Sequence, residues 1–292
     1  GTLRGSLLRP DDEGYDEART VWNAMIDERP AFIVRCAGVA DVISAVTFAE
    51  EHHHSISVKG GGHNIAGRAV KDGALMIDLS PMKSVRVDPD AKTARVEPGV
   101  VLNELDHETQ AFALATPVGY NSTTGVSGLT LGGGWGWLSR KHGLTVDNLL
   151  SADVVTAAGE LVHASEDENE DLFWGIRGGG GNFGIVTSFE FQLHDVGPEV
   201  LSGPIFHPFE DTASVLSEYH EFVVEAPDEA AVWFVIRHAP PMEIVPEEWH
   251  GEKVIILAAF YAGEMSEGEE VLQPLRDIGD PVVDAVGPQI GR

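Results

Sequence analysis

The sequence predicts an α+β chain in two main parts. Three observations carry this: a strand–helix–strand pattern over residues 31–59, two short hairpins at 84–96 and 150–164, and a change of composition after Val196-Gly197-Pro198. At 292 residues there is room for about two domains of ~150 residues each.

Residues 1–28 are polar, with an amphipathic stretch at 15–26, and are expected to form an N-terminal arm or helix. AFIVRC at 31–36 reads as a short buried strand. Val39, Val42, Ile43, Val46 and Ala49 recur at helical spacing, and a second β-type run follows at 56–59, completing a βαβ unit. That run leads directly into GGGHNIAG at 60–67. LMIDL at 75–79 is another strand, and 84–87 and 93–96 flank DPDAK, a hairpin turn by its Asp-Pro-Asp chemistry. Residues 101–112 read as a helix with Val101, Leu102, Leu105 and Phe112 on one face. A second glycine-rich loop occupies 113–148. Residues 150–157 and 161–164 alternate across Ala158-Gly159, 168–176 form a short helix ending in glycines, and 185–193 alternate as a strand. Beyond the boundary, 211–225 and 266–277 are helix candidates and 231–238 and 254–261 are β-type runs. The final GDPVVDAVGPQIGR reads as a loop without a capping element.

Lys and Arg number 19 against 47 Asp and Glu, a net charge of −28 that repels nucleic acid and anionic membrane surfaces. Residues 199–292 carry −15 of it on less than half the length. Acids scattered singly, with only 6 lysines, resemble the surface of a protein from a high-salt, haloarchaeal cytoplasm, where self-repulsion is screened, and an ordinary acidic protein is the alternative. Cys36 is the only cysteine, which excludes an internal disulfide or a cysteine-based metal cluster. No apolar run approaches a membrane span and no signal peptide is visible, so a cytoplasmic location is expected.

Glycine is the outlier of the composition. Of the 33 glycines, 17 fall within 60–67, 125–143 and 175–184. Consecutive glycines after a strand let backbone N–H groups approach an anion without a Cβ in the way, and GGGHN at 60–64 has that form. A tight turn is the alternative. It is not a Walker loop, and it lacks the G-x-G-x-x-G spacing. The segment at 125–143, with Trp135 and Trp137 among small residues, suits a large planar ligand or else a close packing crossover. RGGGGNFG at 177–184 invites the same two readings. Three such loops imply a long, partly polar ligand, and a dinucleotide fits. His52, His53 and His54 read as a solvated helix end rather than a metal site, and Cys36 as core. No G-x-S-x-G or H-E-x-x-H motif points to a hydrolase.

The runs SVKGGGHNIAG, IDLSPMKSVRVD, TTGVSGLTLGGGWGWLSRKHGLTVDNLLSADVVTAAGE and DLFWGIRGGGGNFGIVTSFEF resemble the FAD-linked oxidases of the berberine-bridge-enzyme-like group. The resemblance extends along the whole chain and is densest over 29–198. It implies the two-subdomain FAD-binding fold of the p-cresol methylhydroxylase and vanillyl-alcohol oxidase type over 29–198. A partial substrate domain, an antiparallel sheet with helices, would follow over 199–292. Relatives of this group return a further C-terminal segment to the flavin, and its absence from this sequence leaves no residue to assign as catalytic base.

By the same resemblance His63 bonds covalently to the 8α-methyl group of FAD. Lys59, Gly60, Gly61, Gly62 and Asn64 would cradle the pyrophosphate, with Gly67 helping the turn. Gly119, Asn121, Thr123, Thr124, Gly125, Gly128 and Leu129 would line the flavin together with Gly132, Gly133 and Gly134. Gly143, Leu144, Asp147 and Asn148 would continue that lining, and Ile185 and Val186 would offer backbone contacts to the adenine end. Relatives with a second flavin bond use a cysteine where Asn121 stands, so one covalent link is expected and the flavin should be a weaker oxidant than in doubly linked relatives. The implied reaction is transfer of hydride from a small-molecule alcohol, sugar hemiacetal or amine to the flavin, with oxygen as acceptor. A flavin-binding fragment without turnover, half of a split enzyme, and a dehydrogenase with another acceptor are the alternatives.

Overall fold

The computed structural model describes residues 3–290. It divides into two units between His194 and Asp195, just before the turn at which the composition changes.

The first unit begins with a four-stranded sheet in the order Ser6–Leu8, Phe32–Arg35, Leu75–Asp78, Ile56–Lys59. The helix Val39–Glu51 joins the second strand to the fourth, so the predicted βαβ unit is present. Its two strands are not neighbours, because Leu75–Asp78 lies between them and runs parallel to both. Burial explains the order. Every residue of Leu75–Asp78 is buried, which suits a central strand, whereas Ile56–Lys59 exposes alternate residues and takes the edge. Val42, Ala45, Val46 and Ala49 press the helix onto Val34, Leu75 and Ile77.

Part of the expected N-terminal arm or helix joins this sheet. Ser6–Leu8 pairs antiparallel with Phe32–Arg35, and the buried Asp41 carboxylate accepts the backbone N–H groups of Arg4, Gly5 and Ala37. Burial would raise the Asp41 carboxyl, and these donors more than reverse it, holding it below the ordinary range. Three residues with no alternation left no sequence signal for this strand. The helix expected over 15–26 is only Tyr15–Arg19. Tyr15 is its anchor: the side chain is fully buried and its hydroxyl donates to the Pro30 carbonyl at 2.6 Å.

A second, fully antiparallel sheet follows in the order Val85–Asp88, Thr93–Val96, Ile185–Gln192, Leu149–Val155, Leu161–Ser165. Both predicted hairpins are here. Phe189 and Phe191 face a core shared with Leu102 and Leu105 of the helix Leu102–Gln110 and with Phe173 and Ile176 of the helix Glu170–Ile176. The glycine-rich segments occupy the connections of this unit.

In the second unit an antiparallel sheet runs Ala230–His238, Lys253–Tyr261, Glu199–Pro208, with Val283–Asp284 and Gly287–Ile290 on the far side of Glu199–Pro208. Val215 of the helix Thr212–Glu225 and Leu272 and Leu275 of the helix Met265–Arg276 cover Leu201, Ile205, Ile255 and Leu257. Two points depart from expectation here. The terminal GDPVVDAVGPQIGR supplies the strands Val283–Asp284 and Gly287–Ile290 where a loop is expected, its last two residues lying outside the described ones, and the ten-residue strand Glu199–Pro208 gives no strand signal because Gly203 and Pro204 interrupt it. A Cβ on Gly203 would lie 2.1 Å from the Ala285 carbonyl oxygen, so only glycine lets the neighbouring strand approach.

Candidate functional site

The first two glycine loops touch through their backbones. A Cβ on Gly61 would lie 2.3 Å from the Gly125 nitrogen, and one on Gly125 would lie 2.3 Å from the Gly61 nitrogen. A Cβ on Gly60 would likewise meet Ser127 Oγ at 2.3 Å. These glycines exist so that the end of the strand Ile56–Lys59 can abut the start of the helix Val126–Leu131. The same short helix lies beside the turn Gly180–Asn182, so the third loop joins the other two.

A different group of glycines faces outward. A Cβ on Gly128 or Gly181 would meet nothing within 4 Å, and neither residue has a positive φ. Both are exposed. Neither packing nor backbone strain requires glycine there, and Gly128 inside a helix costs roughly 0.5–1 kcal/mol relative to alanine. Gly133, Gly178 and Gly180 also face open space, with φ of 107°, 113° and 71°. Gly128 and Gly181 sit on two loops that adjoin at the helix Val126–Leu131, and the space left open beside them suits a flat, extended ligand such as FAD.

His63 lies beside Thr123 and Thr124, just before the helix Val126–Leu131. Its ring is half-buried and stacks on Trp22, with centroids 5.4 Å apart and an interplanar angle of 22°. Nε2 lies 3.0 Å from Thr123 Oγ1, and Nδ1 lies 3.5 Å from Thr124 Oγ1. Thr123 Oγ1 is also 2.8 Å from Asn121 Oδ1, which accepts the Thr123 backbone N–H at 3.1 Å. Burial pushes the His63 imidazolium pKa down, so the ring is neutral at pH 7. Trp22 was not among the residues singled out by sequence. It is held in place by donating its backbone N–H to the Gly62 carbonyl at 3.0 Å, a contact between segments that no local pattern announces.

Other residues singled out by sequence are engaged inside the protein. Lys59 Nζ donates to the Ala18 and Thr20 carbonyls at 2.7 and 2.9 Å, tying the N-terminal segment to the loop, and burial lowers its pKa. Asn64 closes the following turn by accepting the Arg68 backbone N–H on Oδ1, while Gly67 takes a φ of 71° beneath Ile26. Asn148 is buried. Its amide donates to the His142 and Leu144 carbonyls, and its oxygen lies 2.6 Å from His194 Nε2. Asp147 accepts the Leu144 backbone N–H at 2.7 Å and approaches Arg177. Gly134 and Gly143 have positive φ, and Gly119 admits the Leu129 side chain. Gly132 is exposed at the end of the helix Val126–Leu131. Ile185 and Val186 are buried on opposite faces of their strand and pack into different cores. These residues shape the loops, leaving the outward glycines and the cluster of His63, Thr123 and Thr124 as the parts not used in that shaping.

Among the described residues no group of three or more His, Cys, Asp or Glu is placed to hold a metal ion, and no helix is long and apolar enough to cross a membrane.

Residues 30–165 match the FAD binding domain family. (R)-6-hydroxynicotine oxidase of Paenarthrobacter nicotinovorans is 34% identical over 285 residues, which are 98% of this chain and 61% of that protein. Chitooligosaccharide oxidase of Gibberella zeae is 41% identical over 187 residues, 62% of this chain and 37% of that protein. The crystal structure of 6-hydroxy-D-nicotine oxidase from Arthrobacter nicotinovorans superposes with a TM-score of 0.90 at 32% identity, over 99% of this chain and 62% of that one. Xylooligosaccharide oxidase from Myceliophthora thermophila superposes with a TM-score of 0.83 at 31% identity, over 98% and 59%. The chain spans about three fifths of the length of the full-length relatives it matches from end to end.

Proposed function

The chain carries an FAD binding domain over residues 30–165 and has homologues among FAD-linked oxidoreductases, and from this premise we propose that it is the flavin-holding part of an FAD-dependent oxidase. The observation that carries the proposal is the joining of three glycine loops at the helix Val126–Leu131, with Gly128 and Gly181 open to a flat ligand and His63 against Thr123 just before that helix. On this reading each of the two sheets of the first unit would be the centre of one subdomain, which the separate cores of the two sheets support.

When bound, FAD supplies the redox chemistry, accepting a hydride from a substrate C–H bond. The chain's own residues do the rest. The backbones of residues 60–64 and 125–134 admit the cofactor closely, Asp147 and Asn148 hold the second loop in shape, and His63 is the single covalent tether. A neutral imidazole has a lone pair to form that bond, and the burial that lowers its pKa preserves the lone pair at pH 7. The substrate class is a small molecule with an alcohol, hemiacetal or amine carbon, in line with relatives named for nicotine and oligosaccharide oxidation. Oxygen is the proposed acceptor.

Acid precipitation tests the core of this reading. The purified chain should give a yellow pellet whose flavin stays with the polypeptide. The variant His63→Ala should bind flavin that is released on precipitation. A colourless pellet from the unaltered chain overturns the linkage, and a chain that binds no FAD at all overturns the function.

A further inference from the structure

The hydrogen bonds around His63 decide which of its nitrogens is free to react. Asn121 Oδ1 is fixed as the oxygen of its amide because it accepts the Thr123 backbone N–H at 3.1 Å. It has no hydrogen to give. The single hydroxyl hydrogen of Thr123 therefore goes to Asn121 Oδ1, 2.8 Å away. Thr123 Oγ1 is left with lone pairs only toward His63 Nε2, 3.0 Å away, and that contact is a hydrogen bond only if Nε2 carries the proton. In the neutral ring Nδ1 is then the bare nitrogen, facing Thr124 Oγ1 at the weak distance of 3.5 Å. Trp22, stacked on the ring, restricts its rotation.

We propose that Asn121 and Thr123 are positioning residues that lock His63 in the Nε2–H tautomer and so direct flavin attachment to Nδ1. The inference rests on the proposed linkage through His63. The bond formed is Nδ1 to the 8α-methyl carbon, and the bond broken is one methyl C–H, whose hydrogen leaves as a proton. The Nε2 proton, held by Thr123, leaves to solvent. The electron pair left on the flavin passes to dioxygen, which takes up two protons and becomes hydrogen peroxide. Asn121 acts through Thr123, whose hydroxyl hydrogen it accepts, to orient His63.

The test compares the unaltered chain with Thr123→Val, Thr123→Ser and Asn121→Ala, each reconstituted with FAD in air. Attachment is followed as flavin retained after denaturation, and the linked nitrogen is identified by NMR of the isolated flavin peptide. Thr123→Val should bind FAD but attach it roughly tenfold to a hundredfold more slowly, the usual size of losing a group that orients a working histidine. Asn121→Ala should act in the same direction, and Thr123→Ser should restore the rate and the Nδ1 product. Nitrogen-15 NMR of the FAD-free chain reads the tautomer without any linkage, and His63 should carry its proton on Nε2 in the unaltered chain and lose that preference in Thr123→Val. If the unaltered chain fails to retain flavin, the linkage reading fails while the NMR arm still judges the relay. A Thr123→Val variant that attaches FAD at the unaltered rate through Nδ1, or a His63 protonated on Nδ1, overturns the proposal.

Discussion

Gly61 and Gly128 are glycines for opposite reasons, and single alanine substitutions separate them. At Gly61 a Cβ collides with the Gly125 backbone at 2.3 Å, and backbone cannot swing aside as a flexible side chain does. Gly61→Ala is expected to cost about 1–3 kcal/mol and to lower the thermal midpoint whether or not flavin is present. Gly128 is in a helix with nothing of the protein near its would-be Cβ. Gly128→Ala should therefore stabilise the FAD-free chain by roughly 0.5–1 kcal/mol while weakening flavin binding. Calorimetry of the FAD-free variants together with flavin titration checks both signs. A Gly128→Ala chain that binds FAD as well as the unaltered one would show that this face does not meet the cofactor. At this scale the glycine loops were legible in the sequence, but the division of labour among the glycines was not. That division depends on which atoms lie opposite each Cα, and they come from segments sixty residues away.

The helix Leu102–Gln110 shows how an element holds a cost that sequence conceals. Asp106 lies on its partly buried side with no side-chain partner among the described residues, and desolvation pushes its carboxyl up to about 6. An unfolded aspartate releases its proton near 3.9. Between those values the folded chain binds more protons than the unfolded one, so stability falls as pH rises from about 4 to about 6, and the penalty is complete above that range. Asp106→Asn is expected to raise stability by about 1–2 kcal/mol at pH 7 and by almost nothing near pH 4, because the element is partly open to solvent. Denaturant unfolding of both chains at the two pH values reads the difference, and an equal effect at both would assign it to packing instead. Elements with a strong period were read correctly: the helix Val39–Glu51, the strand Ile185–Gln192 and the hairpins needed no tertiary information. Elements that depend on a partner were not. Ser6–Leu8 is too short to alternate, and Glu199–Pro208 is a strand because its neighbours accommodate Gly203 and Pro204.

For the whole molecule the governing quantity is the charge of −28, whose self-repulsion opposes compaction at low salt. If the acidic surface is an adaptation to a high-salt interior, the thermal midpoint should climb steadily from low salt to about 1 M KCl, where the screening length falls to ~3 Å. A midpoint that does not move over that range would show the acids to be paired or far enough apart to be harmless. Composition, the glycine loops, the periodic elements and the histidine among the glycines were all determined by the sequence alone, since each is a local property of neighbouring residues. Only the tertiary structure decided that Leu75–Asp78 is a central strand of its sheet, that Lys59 binds backbone carbonyls, and that Trp22 and Thr123 meet His63 while Asn121 meets Thr123. Those outcomes rest on contacts between residues distant in the chain, where burial and the direction of each hydrogen bond are fixed only once the segments have met.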